Sequence, residues 1–249
     1  MNSIQLIENT LQNLSPSDFN ILETISESVT GNYHRAFNPK ENKHFLIKLI
    51  EIKKDESLEA NIMEEIRILN IIEKETKNCG VKLNGILNFF GYVKEEFQQI
   101  LRYSLYFEDK TTTLENLILN NYNLSFSEVE RISSNLLNAL SFLQSVGISH
   151  QDIKPDNVLL DKNMNASIFN FEIACEVSRK QENNFNAEIM KMEEFMSPEM
   201  RGPFLKGSQK CTIQPFKSDV FSLGMTILKM GVQMGEIKFE VNFIFKQIK

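Results

Sequence analysis

The sequence predicts an α+β domain of two lobes, a small β-rich lobe followed by a helical lobe. Between Phe19 and Lys48 the apolar residues alternate in short runs around a turn-forming stretch at 38–42, a pattern typical of hairpins. The segment at 219–230 is apolar on nearly every side, as expected of a helix at the centre of a lobe. With 249 residues, 42% of them hydrophobic, the chain is long enough to bury a full core.

The elements follow one another in an order that separates the two lobes. An apolar face within residues 57–74 predicts one amphipathic helix, and strands near 86–94 and 100–108 complete a small sheet. The polar run at 111–113 marks the connection between the lobes. The predicted bounds are a lead-in at 1–17, an N-lobe at about 18–108 and a C-lobe at about 114–235. Residues 236–249 are either a tail or the start of a further helical region that is missing.

The first long helix of the second lobe carries its own start and stop signals. Ser125 and Glu128 have the spacing of a capping box, in which each side chain bonds the other residue's backbone N–H. Apolar residues then repeat on one helical face until Gly147, where a glycine ends the helix. A helix is therefore expected to lead directly into the polar loop that begins at His150.

The composition narrows the classes of partner and location. A net charge of −6 and a pI of about 5.3 give no electrostatic reason to expect nucleic acid or an anionic membrane as a partner. Cys79, Cys175 and Cys211 are too few and too widely spaced for a disulfide framework, which indicates a cytoplasmic or nuclear protein. The N-terminus lacks the order of a secretory signal, and the most apolar late segment, 221–232, is too short to span a membrane.

The loop at 150–160 places a carboxylate, an ammonium and a carboxamide within a few residues, in the order His-Gln-Asp-Ile-Lys-Pro-Asp-Asn-Val-Leu-Leu. It resembles the catalytic loop of eukaryotic-type protein kinases of the serine/threonine class. The resemblance implies Asp152 as the catalytic base, Lys154 as the group that offsets phosphate charge and Asn157 as a magnesium ligand. It covers about residues 18–235 and implies a bilobal protein-kinase-like fold with the family's helix αC, in which the C-lobe lacks its last helices.

Other segments that resemble motifs of the family imply which residues bind ATP. The segment at 45–48 resembles the strand whose lysine, here Lys48, contacts phosphates and pairs with a glutamate of helix αC, here Glu65. Only Gly31 remains of the three glycines in the phosphate-covering loop. Tyr33 and Leu46 replace the smaller valine and alanine beside the adenine, and we expect them to fill part of that pocket. The cofactor-binding residues implied by the resemblance are Lys48, Glu65, Gly31, Leu46, Tyr33 and Leu159.

Several departures from the family pattern bear on catalysis. Asn170, in Asn170-Phe171-Glu172, replaces the aspartate that supplies the main magnesium carboxylate, and a neutral amide is a weaker ligand for this ion. Glu172 brings back a carboxylate, but because it lies two positions further along the chain it is expected to point away from the magnesium position. Gln151 replaces the arginine that reads a phosphorylated activation loop, and Met192 replaces a threonine that bonds the catalytic loop.

Two residues are expected to hold the fold of the site. Asp219 matches the buried aspartate that anchors the catalytic-loop backbone, and a buried carboxylate is normally satisfied by hydrogen bonds. Phe171 is expected to build an apolar stack between the lobes together with Leu69, Phe89 and His150.

Two functions remain open at this point. The favoured one is a pseudokinase or weak kinase that acts through a regulatory protein partner. The alternative is an active serine/threonine kinase that uses ATP and Mg²⁺ to phosphorylate a protein substrate. An incomplete gene product without a stable fold is a third possibility.

Overall fold

The structure, a computed structural model, describes most of both predicted lobes. Its described residues are 16–28, 30–54, 56–79, 84–177, 185–188, 193–207 and 210–233. Met192, nearly all of the lead-in and the whole tail at 236–249 lie outside these ranges. Within them the α+β architecture is confirmed, since a β-rich lobe precedes a mainly helical one.

The N-lobe is built on a five-stranded antiparallel sheet with the order β1-β2-β3-β5-β4. Side chains of the central strand alternate between two apolar clusters, because successive residues of a strand face opposite sides of the sheet. Phe45 and Ile47 enter a small outer cluster, whereas Leu46 enters the main core between the lobes. The strands are β1 (Asn20–Glu27), β2 (Asn32–Asn38), β3 (Lys43–Lys53), β4 (Phe89–Phe97) and β5 (Ile100–Glu108).

One long helix, α1 (Glu56–Cys79), packs against this sheet and corresponds to the family's helix αC. It extends beyond the predicted 57–74 at its C-terminal end. The strand expected near 86–94 begins only at Phe89, because Ile86 forms a bridge with Ile168 of the C-lobe instead. This segment therefore connects the lobes before it enters the sheet.

The C-lobe confirms the predicted helix signals and adds a short helix that was not predicted. The capping box is present, with the Ser125 N–H donating to Glu128 at 2.7 Å, and the chain leaves the helix through Gly147 at a φ of 77°. The polar run at 111–113 contains Thr113, whose side chain caps the unpredicted helix. The helices are α2 (Leu114–Leu119), α3 (Phe126–Ser145), α4 (Pro198–Leu205) and α5 (Pro215–Gln233).

Short strands connect the helices and carry the polar loops of the cleft. Three of them form a sheet of order β6-β8-β9, and the others pair as β7 with β10 and β11 with β12. Of the helices in the described ranges, none is both long and apolar enough to cross a lipid bilayer. The strands are β6 (Thr112–Thr113), β7 (Ile148–Ser149), β8 (Val158–Leu160), β9 (Ala166–Ile168), β10 (Cys175–Glu176), β11 (Phe185–Glu188) and β12 (Lys210–Ile213).

Gly31 lies immediately before β2, where the backbone of β3 comes too close for a side chain. A Cβ at this position would lie 2.3 Å from the carbonyl oxygen of Leu49 and 2.8 Å from Cγ1 of Ile50. Gly31→Ala is therefore expected to lower the free energy of unfolding by about 1–3 kcal/mol, as measured by denaturant titration.

Gly224→Ala is the matched control, because a Cβ at Gly224 in α5 meets no atom within 4 Å. In a helix interior this change should instead raise the free energy of unfolding by about 0.5–1 kcal/mol. Equal effects of the two substitutions would contradict the close approach at Gly31.

Candidate active site

A buried carboxylate on α5 holds the loop that follows β7. Asp219 accepts hydrogen bonds from the backbone N–H groups of His150 and Gln151, both at 2.8 Å, and from the hydroxyl of Ser149 at 2.9 Å. The predicted anchor of the catalytic loop is thereby confirmed. Burial raises the pKa of Asp219 to about 6, although these three donors act in the opposite direction.

His150 ties the same loop to the end of β9. Its Nε2 lies 2.9 Å from the carbonyl oxygen of Phe169, and its Nδ1 accepts the N–H of Asp152 at 3.2 Å. The ring contacts Phe171 edge-to-face at 4.8 Å, and Leu69 and Phe171 belong to the same core cluster. This confirms the contact between His150 and Phe171 in the predicted stack. Burial lowers the pKa of His150, so the neutral ring is the one that fits these contacts.

The loop brings its three predicted functional side chains together. The Nδ2 group of Asn157 donates to the backbone oxygen and to Oδ2 of Asp152, at 2.8 and 2.7 Å. Nζ of Lys154 lies 2.8 Å from the same Oδ2. Asp152 and Lys154 are thus paired with each other, and Asn157 also bonds the carboxylate of Asp152.

Asn170 extends this series of hydrogen bonds at the expected metal end. Its Nδ2 group donates to Oδ1 of Asn157 at 3.2 Å, so the two predicted magnesium ligands bond to each other. Oδ1 of Asn170 is buried and has no hydrogen-bond partner among the described residues. Within those same ranges, no group of three or more His, Cys, Asp or Glu side chains is arranged to hold a metal ion.

The donor set at this end does not fit the family's magnesium site. Mg²⁺ prefers carboxylate oxygens, whereas Asn157 and Asn170 offer neutral amides, one of which is already used as an acceptor. The carboxylates of Asp152 and Glu172 are each paired with a lysine. One unpartnered amide oxygen is a weak replacement for the missing aspartate.

Lys48 of β3 is completely buried and pairs with the predicted glutamate of α1. Its Nζ lies 2.9 and 2.8 Å from the two carboxylate oxygens of Glu65. Glu64, one residue away, instead pairs with Arg67 at the surface. Burial raises the pKa of Glu65, although the charge of Lys48 opposes this effect. The predicted pairing of Lys48 with Glu65 is confirmed.

The carboxylate of Glu172, which is expected to point away from the magnesium position, pairs with Lys48. Its Oε1 lies 2.9 Å from Nζ of Lys48, and its side chain is only 5% exposed. The same oxygen accepts hydrogen bonds from Ser28 and Thr30 in the loop between β1 and β2. The only sequence signal for these contacts was a carboxylate at the position where the family has glycine. Nothing in the sequence indicated that Ser28 and Thr30 would contact it.

Tyr33, one of the two enlarged side chains expected to fill part of the adenine pocket, lies in the core between the lobes. Tyr33 of β2 is fully buried, and its ring contacts Phe107 of β5 at 6.0 Å and Phe169 of the C-lobe at 4.8 Å. Leu46 and Leu159 are also fully buried in the core between the lobes. The ring of Tyr33 therefore bridges the two lobes where the resemblance places the base, and these residues do not fit an adenine.

The pH dependence of stability is expected to report on His150. The pKa of His150 is lowered in the folded state, whereas in the unfolded state it is about 6.5. Above about pH 6.5 the neutral ring contributes its full stabilisation to the fold. As the pH falls from about 6.5 toward the folded-state pKa, the unfolded state binds a proton more readily than the folded state, and this stabilisation is lost. Denaturant titration at several pH values should show a decline below about pH 6.5 that is smaller in His150→Phe.

His44→Phe is the control for this measurement, since it removes a histidine from β3 without touching the loop. This variant should keep the decline of the wild-type protein. Identical pH profiles for the wild type and His150→Phe would contradict a neutral, buried His150.

Comparison with known proteins agrees with this architecture. The family described as Protein kinase domain matches residues 19–242. A probable serine/threonine-protein kinase, fnkE of Dictyostelium discoideum, is 26% identical over 221 residues, which cover 84% of this chain and 15% of that protein. Dual specificity tyrosine-phosphorylation-regulated kinase 2 of Drosophila melanogaster is 32% identical over 170 residues, which cover 65% of this chain and 22% of that protein.

A third relative is also much longer than the region that this chain matches. The MAP kinase kinase MKK1/SSP32 of Saccharomyces cerevisiae is 23% identical over 276 aligned residues, which cover 90% of this chain and 51% of that protein. This chain thus spans between 15% and 51% of the length of these relatives. Since the family match extends over most of the sequence, from residue 19 to residue 242, the chain belongs to the eukaryotic-type protein kinase family.

Proposed function

We propose that this protein is a pseudokinase or weak kinase of the serine/threonine type, whose main role is to bind and regulate another protein. The observation that carries the proposal is the hydrogen bond between Asn170 and Asn157, the two positions that would hold magnesium. Charge on the transferring phosphate must be neutralised by the metal, so the loss of its carboxylate raises the reaction barrier by several kcal/mol. The fold does not depend on the metal, because Asn170 donates a hydrogen bond to Asn157 in its place.

The adenine end supports the same proposal. A nucleotide base needs a flat slot between the lobes, whereas here an aromatic ring from β2 reaches Phe169 on the opposite lobe. Tyr33 must leave this position before a base enters. Because the ring is fully buried, its displacement forfeits the apolar area that it now covers.

The proposed partner is a protein inside the cell, in the cytoplasm or the nucleus, and neither nucleic acid nor membrane is proposed. The relatives with printed kinase names give the class of partner, since protein kinases act on or through other proteins. The net charge of −6 gives no attraction toward polyanions.

An active kinase that uses ATP and Mg²⁺ is the second candidate, and one observation favours it. Lys48 and Glu65 form the buried ion pair that the family requires for phosphate positioning. Asp152 and Lys154 also stand in the order of a functional catalytic loop. In this candidate Asp152 would accept the proton of a serine or threonine hydroxyl.

A phosphotransfer assay separates the two candidates. With ATP, Mg²⁺ and a broad peptide mixture, the wild-type protein should transfer little or no more phosphate than Asp152→Ala, because the metal end lacks its carboxylate. Asn170→Asp alone should stay equally inactive, since Tyr33 still fills the adenine end. Robust transfer by the wild type that disappears in Asp152→Ala would establish the active kinase instead.

Removal of the Tyr33 ring should restore space for a nucleotide. Tyr33→Val is expected to lower the free energy of unfolding by about 3–5 kcal/mol, as large-to-small changes in a core do. Addition of adenosine, which has no phosphate to compete with the carboxylate of Glu172 for Lys48, should then raise the melting temperature of Tyr33→Val, because a ligand that binds only the folded state stabilises it. The wild-type protein should show no such shift.

Tyr33→Phe is the matched control for the ring itself. The Tyr33 hydroxyl is buried with no hydrogen-bond partner in the described part of the chain, so its removal should change stability by less than about 1 kcal/mol. This variant should remain insensitive to adenosine. A clear adenosine-induced shift in the wild type would show that the ring does not block the site.

A further inference from the structure

We propose that Glu172 is an internal ligand of the anion site formed by Lys48 and the loop between β1 and β2, and that its carboxylate holds the cleft closed in place of an external phosphate. This inference rests on the proposed function and gives it a physical cause at the phosphate end. Glu172 acts at the phosphate end of the cleft, whereas Asn170 lies at the metal end and Tyr33 at the adenine end.

Four donor atoms converge on a single oxygen of Glu172. Oε1 lies 2.9 Å from Nζ of Lys48, 2.5 Å from each of the hydroxyl oxygens of Ser28 and Thr30, and 3.2 Å from the backbone N of Thr30. The hydroxyl of Ser28 also lies 2.5 Å from the carbonyl oxygen of Gly31, and its one proton serves one acceptor at a time. Such a set of donors suits an anionic oxygen.

The charges explain why this oxygen stays ionised. Burial alone would raise the pKa of Glu172, but the charge of Lys48 and the donors from Ser28, Thr30 and Lys48 lower it below the ordinary value. One buried ammonium thus faces two carboxylates, Glu65 and Glu172. The loop hydroxyls are what make the second carboxylate tolerable, because an unpaired buried charge is costly.

The contacts connect parts of the chain that are far apart in sequence. The hydrogen bond between Ser28 and Glu172 spans 144 residues, and the one between Lys48 and Glu172 spans 124. They fasten the loop after β1 onto the segment after β9, across the opening between the lobes. A phosphate group would need the same ammonium and hydroxyl donors, and it would be repelled by the carboxylate. Glu172 and an external phosphate therefore exclude each other.

Inorganic pyrophosphate without metal is the probe that tests this competition. Its affinity for the wild-type protein, Glu172→Ala and Glu172→Gln is measured by calorimetry and by thermal shift. Both variants should bind pyrophosphate at least about tenfold more tightly than the wild type, because the internal anion is gone and its donors are free. If Glu172→Ala does not fold, Glu172→Gln keeps the shape of the side chain and carries the test.

Glu176→Ala is the matched control, since it removes a carboxylate four positions later that lies at the surface beside Arg67. It changes the net charge by the same amount and should bind pyrophosphate like the wild type. In the Glu172→Ala background, Thr30→Val should reduce the gained affinity, because it removes one donor hydroxyl of the site.

Each result has a defined meaning for the proposal. Unchanged pyrophosphate affinity in both Glu172 variants would overturn it, as would an equal gain in Glu176→Ala, which would point to net charge alone. These outcomes are independent of the phosphotransfer assay, which measures turnover that depends on Asp152. Failure of the inference about Glu172 and failure of the proposed function can therefore be told apart.

Discussion

The ammonium of Lys48 is completely buried, and a buried charge is stable only where opposite charges and hydrogen-bond acceptors surround it. Glu65 brings one carboxylate from α1, and Glu172 brings another from the segment after β9. Because these groups come from both lobes, the compensation of this one charge fixes β3, α1 and the C-lobe segment relative to one another. The ring of Tyr33 covers a further side, 5.2 Å from Nζ. Protein groups here surround the charge that a nucleotide's phosphates would otherwise meet.

At the metal end, neutral amide side chains take the place of charged groups. Asn170 donates to Asn157, and Asn157 donates to Asp152, so each amide hydrogen-bonds the next residue in the series. A carboxylate at position 170 has no hydrogen to donate, and it would place a second negative charge near Asp152. It would then need a cation between the acidic groups, as in the family's metal site. The neutral amide of Asn170 removes that requirement for a cation.

Much of this arrangement follows from sequence because its signals are local or periodic. The capping box at Ser125 and the alternation of β3 depend on neighbouring residues, and the pairing of Lys48 with Glu65 depends on a strand and a helix of regular geometry. Glu172 lies beyond any such regularity. Asn170 has a φ of 66°, so the chain leaves β9 in a turn where the alternation of a strand no longer gives the direction of a side chain. Its contacts are also long-range, which no local pattern encodes.

The catalytic loop itself is held by interactions that need neither nucleotide nor metal. Asp219 binds the backbone of His150 and Gln151, and the ring of His150 bonds the carbonyl of Phe169. The carboxylate of Asp152 is satisfied within the loop. These contacts stabilise the fold whether or not phosphate is transferred, so the motif that identifies the family does not by itself establish catalysis. In the proposed function, the cleft lacks efficient catalysis because Asn170 replaces the metal's carboxylate and Tyr33 occupies the adenine end. Glu172 adds a third obstacle, because its carboxylate takes the place of an outside anion at the buried ammonium.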